Sequence, residues 1–222
     1  MIPPEQNARS SPMKMEDVLS IYQRPHDPDR PVVCMDEMSR QLLKHVREPT
    51  EAEPGMPRRL GYHYERNGTV NMFTFFEPLA NHRVVLTRGR RTMIDWAECV
   101  REVIDTHYSE AEKVVLVMDN LNTHGLSSLQ EAFEPAEARR LAERLEIHYT
   151  PEHGSWPVLA EIEQSVMARQ ALSRRIPDRG TIERRTTAWQ RQRNAADATV
   201  DWQFTKEEAR GKLKRLYPKI DG

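Results

Sequence analysis

The sequence predicts a three-layer α/β domain built on a mixed β-sheet. Two short apolar runs, residues 32–35 and 114–118, each end directly in an acid, which is typical of strands buried on both faces. A hairpin pattern and an amphipathic helical pattern stand between these two runs, and most of the remaining helical patterns follow the second run. This order favours a single sheet with helices packed against it.

Bulk composition fits one large globular domain or two small ones. The 222 residues are 38% hydrophobic and 30% charged, and no apolar run approaches the length of a membrane span. The first residues lack the apolar core of a signal peptide. Cys34 and Cys99 stand in apolar or helical contexts, so we expect reduced core thiols and a cytoplasmic protein without membrane partners.

Charge is distributed unevenly along the chain. The net charge is -1, but residues 164–222 contain 14 Lys and Arg against 7 Asp and Glu. A basic C-terminal third is expected where one face of a protein meets a polyanion such as DNA. Ordinary solvated helix faces explain the charge equally well.

The first 30 residues are predicted to form a polar leader (1–12), a short helix (12–24) and a Pro-rich connector. The main domain then covers residues 31–222. Its first strand, residues 31–38, carries Asp36 and Glu37 on opposite faces. Alternation alone does not choose between these two acids.

The central elements each have a local signal. Residues 69–77 and 83–87 are predicted to form a hairpin, after a loop at 47–59. A helix over 92–108 has Thr92 as its N-cap and Asp95 as a capping-box partner.

The strand at 114–118 ends in Asp119 and Asn120, and His124 follows in a polar loop. Helical material at 127–145, interrupted at Pro135, leads to a short strand at 146–149. Three further helices are predicted over 158–172, 181–194 and 205–216. On the first of them we expect Leu159, Ile162 and Val166 to form the apolar stripe, with Glu161 and Glu163 on either side.

Three acids, Asp36, Asp119 and Glu161, are candidates for chemistry. Carboxylates that converge repel one another unless cations lie between them, and oxygen-only ligands suit Mg²⁺ or Mn²⁺. A pair of such ions can clamp the attacking and leaving oxygens of a phosphodiester. By spacing alone this signal is weak, because a single acid at a strand end is more often a cap or turn residue.

Several sequence motifs together resemble those of a known family. VVCMDE, VLVMDNLNTH and HYTPEHGSW with AEIE behind it occur in this order, and RRIPD and DWQFT follow. They are similar to the catalytic domain of DDE superfamily transposases, in the bacterial insertion-sequence group related to mariner. The resemblance covers residue 13 to the end of the chain.

The resemblance implies a ribonuclease-H-like fold and a metal-binding triad of Asp36, Asp119 and Glu161, with two Mg²⁺ or Mn²⁺ ions. It also implies an enzyme that cuts DNA at transposon ends and joins the 3′ hydroxyl to target DNA, as a homodimer on double-stranded DNA. Glu161 is preferred over Glu163 by this resemblance. Asn120 and His124 are expected to orient Asp119 or to contact the strand, and a structural hydrogen bond is the alternative for His124.

Basic residues are expected to contact DNA phosphates from two places. One is the loop after the hairpin, and the other is the helical region after residue 164. These candidates are Arg90, Arg91, Arg169, Arg174, Arg175, Arg184 and Arg185.

The chain departs from the family pattern in two respects. Pro157 and Val158 stand where the family usually has Leu and then Asn or Asp. In addition, residues 1–30 contain nothing like the helix-turn-helix region of full-length members. Three explanations stay open for this second difference: a fragment, a split reading frame with a separate helix-turn-helix polypeptide, or a decayed copy. The alternative function is therefore a catalytically impaired remnant that binds DNA or a partner protein.

Overall fold

The computed structural model describes residues 4–45, 64–121, 123–151 and 159–196. The predicted loop at 47–59, the Pro157–Val158 pair and the helix at 205–216 lie outside these residues. Within them the chain forms six α-helices and five β-strands. The strands are β1 (Val32–His45), β2 (Tyr64–Glu77), β3 (His82–Arg88), β4 (Val114–Met118) and β5 (Leu145–Tyr149). The helices are α1 (Pro4–Tyr22), α2 (Met93–Glu102), α3 (Leu126–Ala132), α4 (Pro135–Glu143), α5 (Leu159–Gln170) and α6 (Arg179–Ala195).

One mixed sheet organises the domain, with the strand order β3-β2-β1-β4-β5. β1, β2 and β3 pair in antiparallel fashion, whereas β1, β4 and β5 are parallel. The two strands whose ends carry Asp36 and Asp119 are therefore parallel neighbours at the centre of the sheet.

Helices cover both faces of the sheet. On one face, Val33 and Met35 of β1 pack with Trp96 and Val100 of α2 and with side chains of α3 and α4. On the other face, Cys34 packs with residues of α1 and α5, and a third cluster joins β2 to α5 and α6. The predicted three-layer α/β architecture is confirmed.

Several local predictions are also confirmed. β2 and β3 form the predicted hairpin. Thr92 caps α2 and forms a complete capping box with Asp95, and Pro135 opens α4 at its first turn. Cys34 and Cys99 are free and buried. In the described residues, none of the helices is both long and apolar enough to span a bilayer.

Other boundaries differ from the prediction. α1 begins at Pro4, within the expected leader, and packs Val18 and Ile21 against the sheet. β1 runs on to His45 because its second half pairs with β2 across a bulge between Gln41 and Leu43. The helix that starts at Met93 ends as a turn of π-helix, Val103–His107.

Candidate active site

Asp36 lies in β1 on the face that α5 covers. Side chains alternate along a strand, so Asp36 follows Cys34, which belongs to the core between the sheet and α1 and α5. Glu37 points to the opposite face with Val33 and Met35. The structure thus separates the two acids that sequence alternation left equivalent.

Asp119 directly follows β4 and comes level with Asp36. Val115 and Val117 share the face of Cys34, and Cys34 pairs with Val117 across the parallel ladder. Two residues farther along each strand are Asp36 and Asp119. Neighbouring strands lie about 4.8 Å apart, so continuing this register would bring the two aspartates to neighbouring backbone positions. Asp119 itself lies just past the end of β4.

Glu161 approaches from above this face, in the first turn of α5. Burial raises the pKa of its carboxyl group, and the negative charge of Asp119 raises it further. Glu161 therefore lies within electrostatic range of the carboxylate that ends β4.

The pKa of Asp36 depends on the charges of both other acids. Burial raises the pKa of the Asp36 carboxyl to about 7, against a hydrogen bond from the backbone of Glu37. The negative charges of Glu161 and Asp119 act in the same direction as burial. The three predicted acids form one crowded anionic group.

The predicted apolar stripe of α5 is confirmed at Leu159, which is buried, and in part at Val166, which is half-buried, but it is wrong at Ile162. The helix buries Leu159, Glu163 and Met167 against the sheet, while Ile162 remains 44% exposed. Glu163 is tolerated inside because Arg83, which has no exposed surface, pairs with it at 2.6 Å. Glu161, about 200° around the helix axis from Glu163, stays exposed and within electrostatic range of the two aspartates.

His124 supports Asp119 from the opposite layer. Its Nδ1 atom lies 3.0 Å from Oδ1 of Asp119, and its Nε2 atom lies 3.5 Å from Oε2 of Glu37. The imidazole stacks on Trp96, with ring centroids 5.9 Å apart and planes at 22°. Burial lowers the pKa of His124, but the hydrogen bond to Asp119 and the nearby Glu37 carboxylate outweigh it and raise the pKa to about 9. The side chain is therefore an imidazolium at neutral pH.

The loop that carries His124 is closely packed. The Tyr149 hydroxyl donates to the His124 carbonyl at 3.4 Å, and a Cβ at Gly125 would lie 3.2 Å from that hydroxyl. Asn120, beside Asp119, is exposed. The small residue at 125 lets the loop close against β5.

A family model described as DDE superfamily endonuclease matches residues 31–183, more than half of the chain. The chain belongs to this family. The matched region begins just before β1 and contains Asp36, Asp119 and Glu161.

Solved structures of a mariner transposase share the fold. The Mos1 paired end complex with Mg has a TM-score of 0.56 and 15% identity, and covers 100% of this chain and 65% of that one. The paired end complex with Mn has a TM-score of 0.55 and 13% identity, with coverage of 97% and 61%. The Mos1 strand transfer complex gives 0.55 and 14%, with coverage of 97% and 62%. The ribonuclease-H-like fold is confirmed, and the chain spans less than two thirds of these proteins' lengths. No curated protein matches the chain.

The carboxylate oxygens of the three acids are ligands of the kind that divalent cations such as Mg²⁺ and Mn²⁺ prefer. The three acids offer only oxygen ligands. The pKa of the Asp36 carboxyl is raised first by burial and then by neighbouring anions, and a cation would relieve both effects. As the described side chains stand, no three of them are arranged to hold a metal ion. Binding would therefore require the carboxylates to turn towards one another.

The predicted DNA contacts fall into two groups. Arg90 and Arg91 are exposed after β3, and Arg91 pairs with Glu37 at 3.2 Å. The others lie at the end of α5, between α5 and α6, and in the first half of α6, and Arg169 is about 12 Å along the α5 axis from Glu161. Arg174 and Arg185 line a groove of about 800 Å³ there, Arg175 stacks on Tyr64, and Arg169 and Arg184 are exposed.

Sequence reasoning missed the residues that hold the acids in place. Glu37 was considered only as a rival of Asp36, yet it contacts His124 on the other face. Arg83 and Glu163 were not paired. Charges inside an otherwise apolar strand and helix are the signal for such a buried pair, because each requires a partner.

Proposed function

We propose that this chain is the catalytic domain of a transposase, which cuts DNA at transposon ends and joins the freed 3′ hydroxyl to target DNA. One observation supports the proposal: Asp36 and Asp119 each stand two residues beyond the paired Cys34 and Val117 of parallel neighbouring strands, and the charges of Asp119 and of Glu161 in the first turn of α5 both act on Asp36. The family supports phosphodiester chemistry, and the similar structures are transposase complexes.

In this proposal the acids act as metal ligands. Asp36, Asp119 and Glu161 would hold two Mg²⁺ or Mn²⁺ ions, which when bound would supply activation of water or a 3′ hydroxyl and stabilisation of the leaving oxygen. Asp36 would serve as a ligand in its deprotonated form, and the His124 imidazolium keeps one oxygen of Asp119 oriented.

The basic residues would position DNA without reading its sequence. Arg90, Arg169 and Arg184 are exposed, so their guanidinium groups are available for phosphate contacts. We propose double-stranded DNA as the substrate, two copies of the domain on it, and a helix-turn-helix polypeptide for recognition of transposon ends.

The test is nicking of supercoiled plasmid with Mn²⁺ or Mg²⁺. We expect metal-dependent nicking by the wild type, loss to the metal-free background in Asp119→Ala, and no change in Glu98→Gln. Glu98 is a matched control because it is an exposed acid on α2, away from the three acids.

Joining is tested separately with precut DNA that carries a free 3′ hydroxyl. The impaired-remnant alternative predicts DNA binding in a gel-shift assay together with equal backgrounds for wild type and Asp119→Ala. That result would overturn the proposed enzyme.

A further inference from the structure

A buried charge cluster holds α5 against the rest of the domain. Arg83, at the start of β3, donates from Nε to Oε2 of Glu163 at 2.6 Å and from Nη2 to Oε1 at 3.2 Å. Arg193 of α6 donates from Nη2 to Oε1 at 3.1 Å. We refer to Arg83, Glu163 and Arg193 as the α5 anchor.

The anchor is itself fixed on several sides. Nη1 of Arg83 donates to the carbonyl and side-chain oxygens of Asn81 at 3.0 and 2.7 Å. The guanidinium lies 4.5 Å above the Phe76 ring. Asn194 of α6 accepts from the Arg83 backbone and donates back to it, both at 2.9 Å. Asn81 occupies a left-handed backbone conformation, with φ 53°, that asparagine tolerates.

Stability alone does not account for such a cluster. Burying a charge pair costs desolvation, and apolar residues of similar volume often serve stability as well or better. A bidentate pair also fixes the relative orientation of its two side chains, because a planar guanidinium binds a carboxylate in one geometry.

The fixed orientation of Glu163 determines where Glu161 lies on the same helix. Glu163 and Glu161 are two residues apart in the first half of α5, about 200° around the helix axis. Fixing Glu163 against β3 therefore sets both the rotation of α5 and its position along the sheet. No other charged side chain of α5 is buried in the part of the chain that the structure describes.

We propose that the α5 anchor is a set of positioning residues, which hold the first turn of α5 so that Glu161 faces Asp36 and Asp119. This inference rests on the proposed function, because it assigns the anchor a role in presenting the third metal ligand. The anchor itself touches neither substrate nor metal.

Two variants separate positioning from stability. Glu163→Gln keeps the shape and removes the charge. The double variant Arg83→Met with Glu163→Leu replaces the pair with apolar groups and is expected to stay folded. The matched control is Glu183→Gln, which removes the charge that pairs with Arg179 and keeps an oxygen that can accept from Thr87 of β3.

Three readouts are needed: the melting temperature without metal, the rise in melting temperature on adding Mn²⁺, and the Mn²⁺ concentration for half-maximal plasmid nicking. We expect both anchor variants to need about tenfold more Mn²⁺ and to show a smaller Mn²⁺-induced rise. Glu183→Gln should change only the metal-free melting temperature.

The outcomes distinguish this inference from the proposed function. If the wild type nicks DNA and the anchor variants keep its Mn²⁺ requirement while melting lower, the anchor is merely structural and the inference is overturned. If the wild type neither nicks DNA nor gains stability with Mn²⁺, the proposed function fails, and the inference fails with it.

Discussion

The Nδ1 atom of His124 lies 3.0 Å from Oδ1 of Asp119, and the same imidazole reaches Glu37 behind the sheet. An acid at the free end of a strand is thus held by a buried cation from the opposite layer. This contact connects the α2 side of the domain, through Trp96 and His124, to the face that carries the three acids.

Replacing His124 with Gln should weaken metal use without unfolding the domain. Gln can retain one hydrogen bond but not the charge, so Asp119 would be less firmly oriented. We expect the Mn²⁺ concentration for half-maximal nicking to rise roughly 10–100-fold, as for other groups that orient a metal ligand. His26→Gln is the control, since it removes an exposed histidine that pairs with Glu77. An unchanged Mn²⁺ requirement in His124→Gln would limit His124 to a structural role.

The same residue predicts a pH dependence of stability. The pKa of His124 is about 9 in the fold and 6.5 in the unfolded chain. Its contribution is therefore fully present below pH 6.5 and is lost as the pH rises through 9. Urea unfolding without metal should show wild type more stable than His124→Gln at pH 6, by roughly 1–3 kcal/mol, with the difference shrinking by pH 9.5. A constant difference across that range would contradict the ion pair.

Asp36 should destabilise the metal-free domain at neutral and alkaline pH. Burial and its acidic neighbours raise the pKa of Asp36 to about 7 from 3.8, so the folded state holds a proton that the unfolded state has released. Stability should fall as the pH rises from about 4 through 7. Asp36→Asn removes the charge, and we expect it to be more stable than wild type at pH 8 by roughly 1–3 kcal/mol.

The measurement is urea unfolding in EDTA at pH 8 and at pH 4. The gain in Asp36→Asn should nearly vanish at pH 4, and this variant should not nick DNA. A variant that is less stable than wild type at pH 8 would show that the three acids do not repel one another.

Arg90 is predicted to contribute a phosphate contact. It is exposed, whereas its neighbour Arg91 pairs with Glu37. Arg90→Glu should weaken DNA binding and flatten the plot of log affinity against log salt by about one contact, or ~0.9 in slope. The control is Arg139→Glu, which changes an exposed arginine on α4. An unchanged salt slope in Arg90→Glu would remove this loop from the interface.

The capping box at the start of α2 predicts a local stability effect. The Thr92 hydroxyl accepts from the backbone of Asp95 at 3.3 Å, and the Asp95 carboxylate accepts from the backbone of Thr92 at 2.8 Å. Thr92→Ala should lower the free energy of unfolding by about 1 kcal/mol in urea titration. Thr187→Ala, at an exposed position within α6, should cost nothing, and equal losses in both variants would argue against the cap.

The sequence predicted correctly those elements that are specified by a few neighbouring residues. The apolar run of β4, the Thr92–Asp95 spacing and the hairpin pattern each specify their structure within a few residues. The second half of β1 was missed because it owes its strand conformation to pairing with β2. The buried face of α5 was predicted only in part for a similar reason. Glu163 is charged, and it is buried because Arg83 of β3 and Arg193 of α6 pair with it.

The candidate site was predicted in part by pattern and in part by resemblance. Strand ends pointed to Asp119 and to either Asp36 or Glu37, but the choices of Asp36 and of Glu161 over Glu163 came from the resemblance to the family. The structure supplies a physical reason for the choice of Glu161, because Glu163 is already engaged by two arginines. The contacts among His124, Glu37 and Arg91 join three distant segments, and no spacing rule in the sequence encodes them.

The central claim is that Asp36, Asp119 and Glu161 form one metal site, and a crystal structure with Mn²⁺ tests it most directly. Anomalous diffraction locates Mn²⁺ independently of the protein model. The account predicts peaks bounded by carboxylate oxygens of all three residues, at distances close to the ~2.1 Å of hard divalent ions. Mn²⁺ bound elsewhere, or bound to the aspartates with Glu161 remote and pointing to solvent, would contradict it.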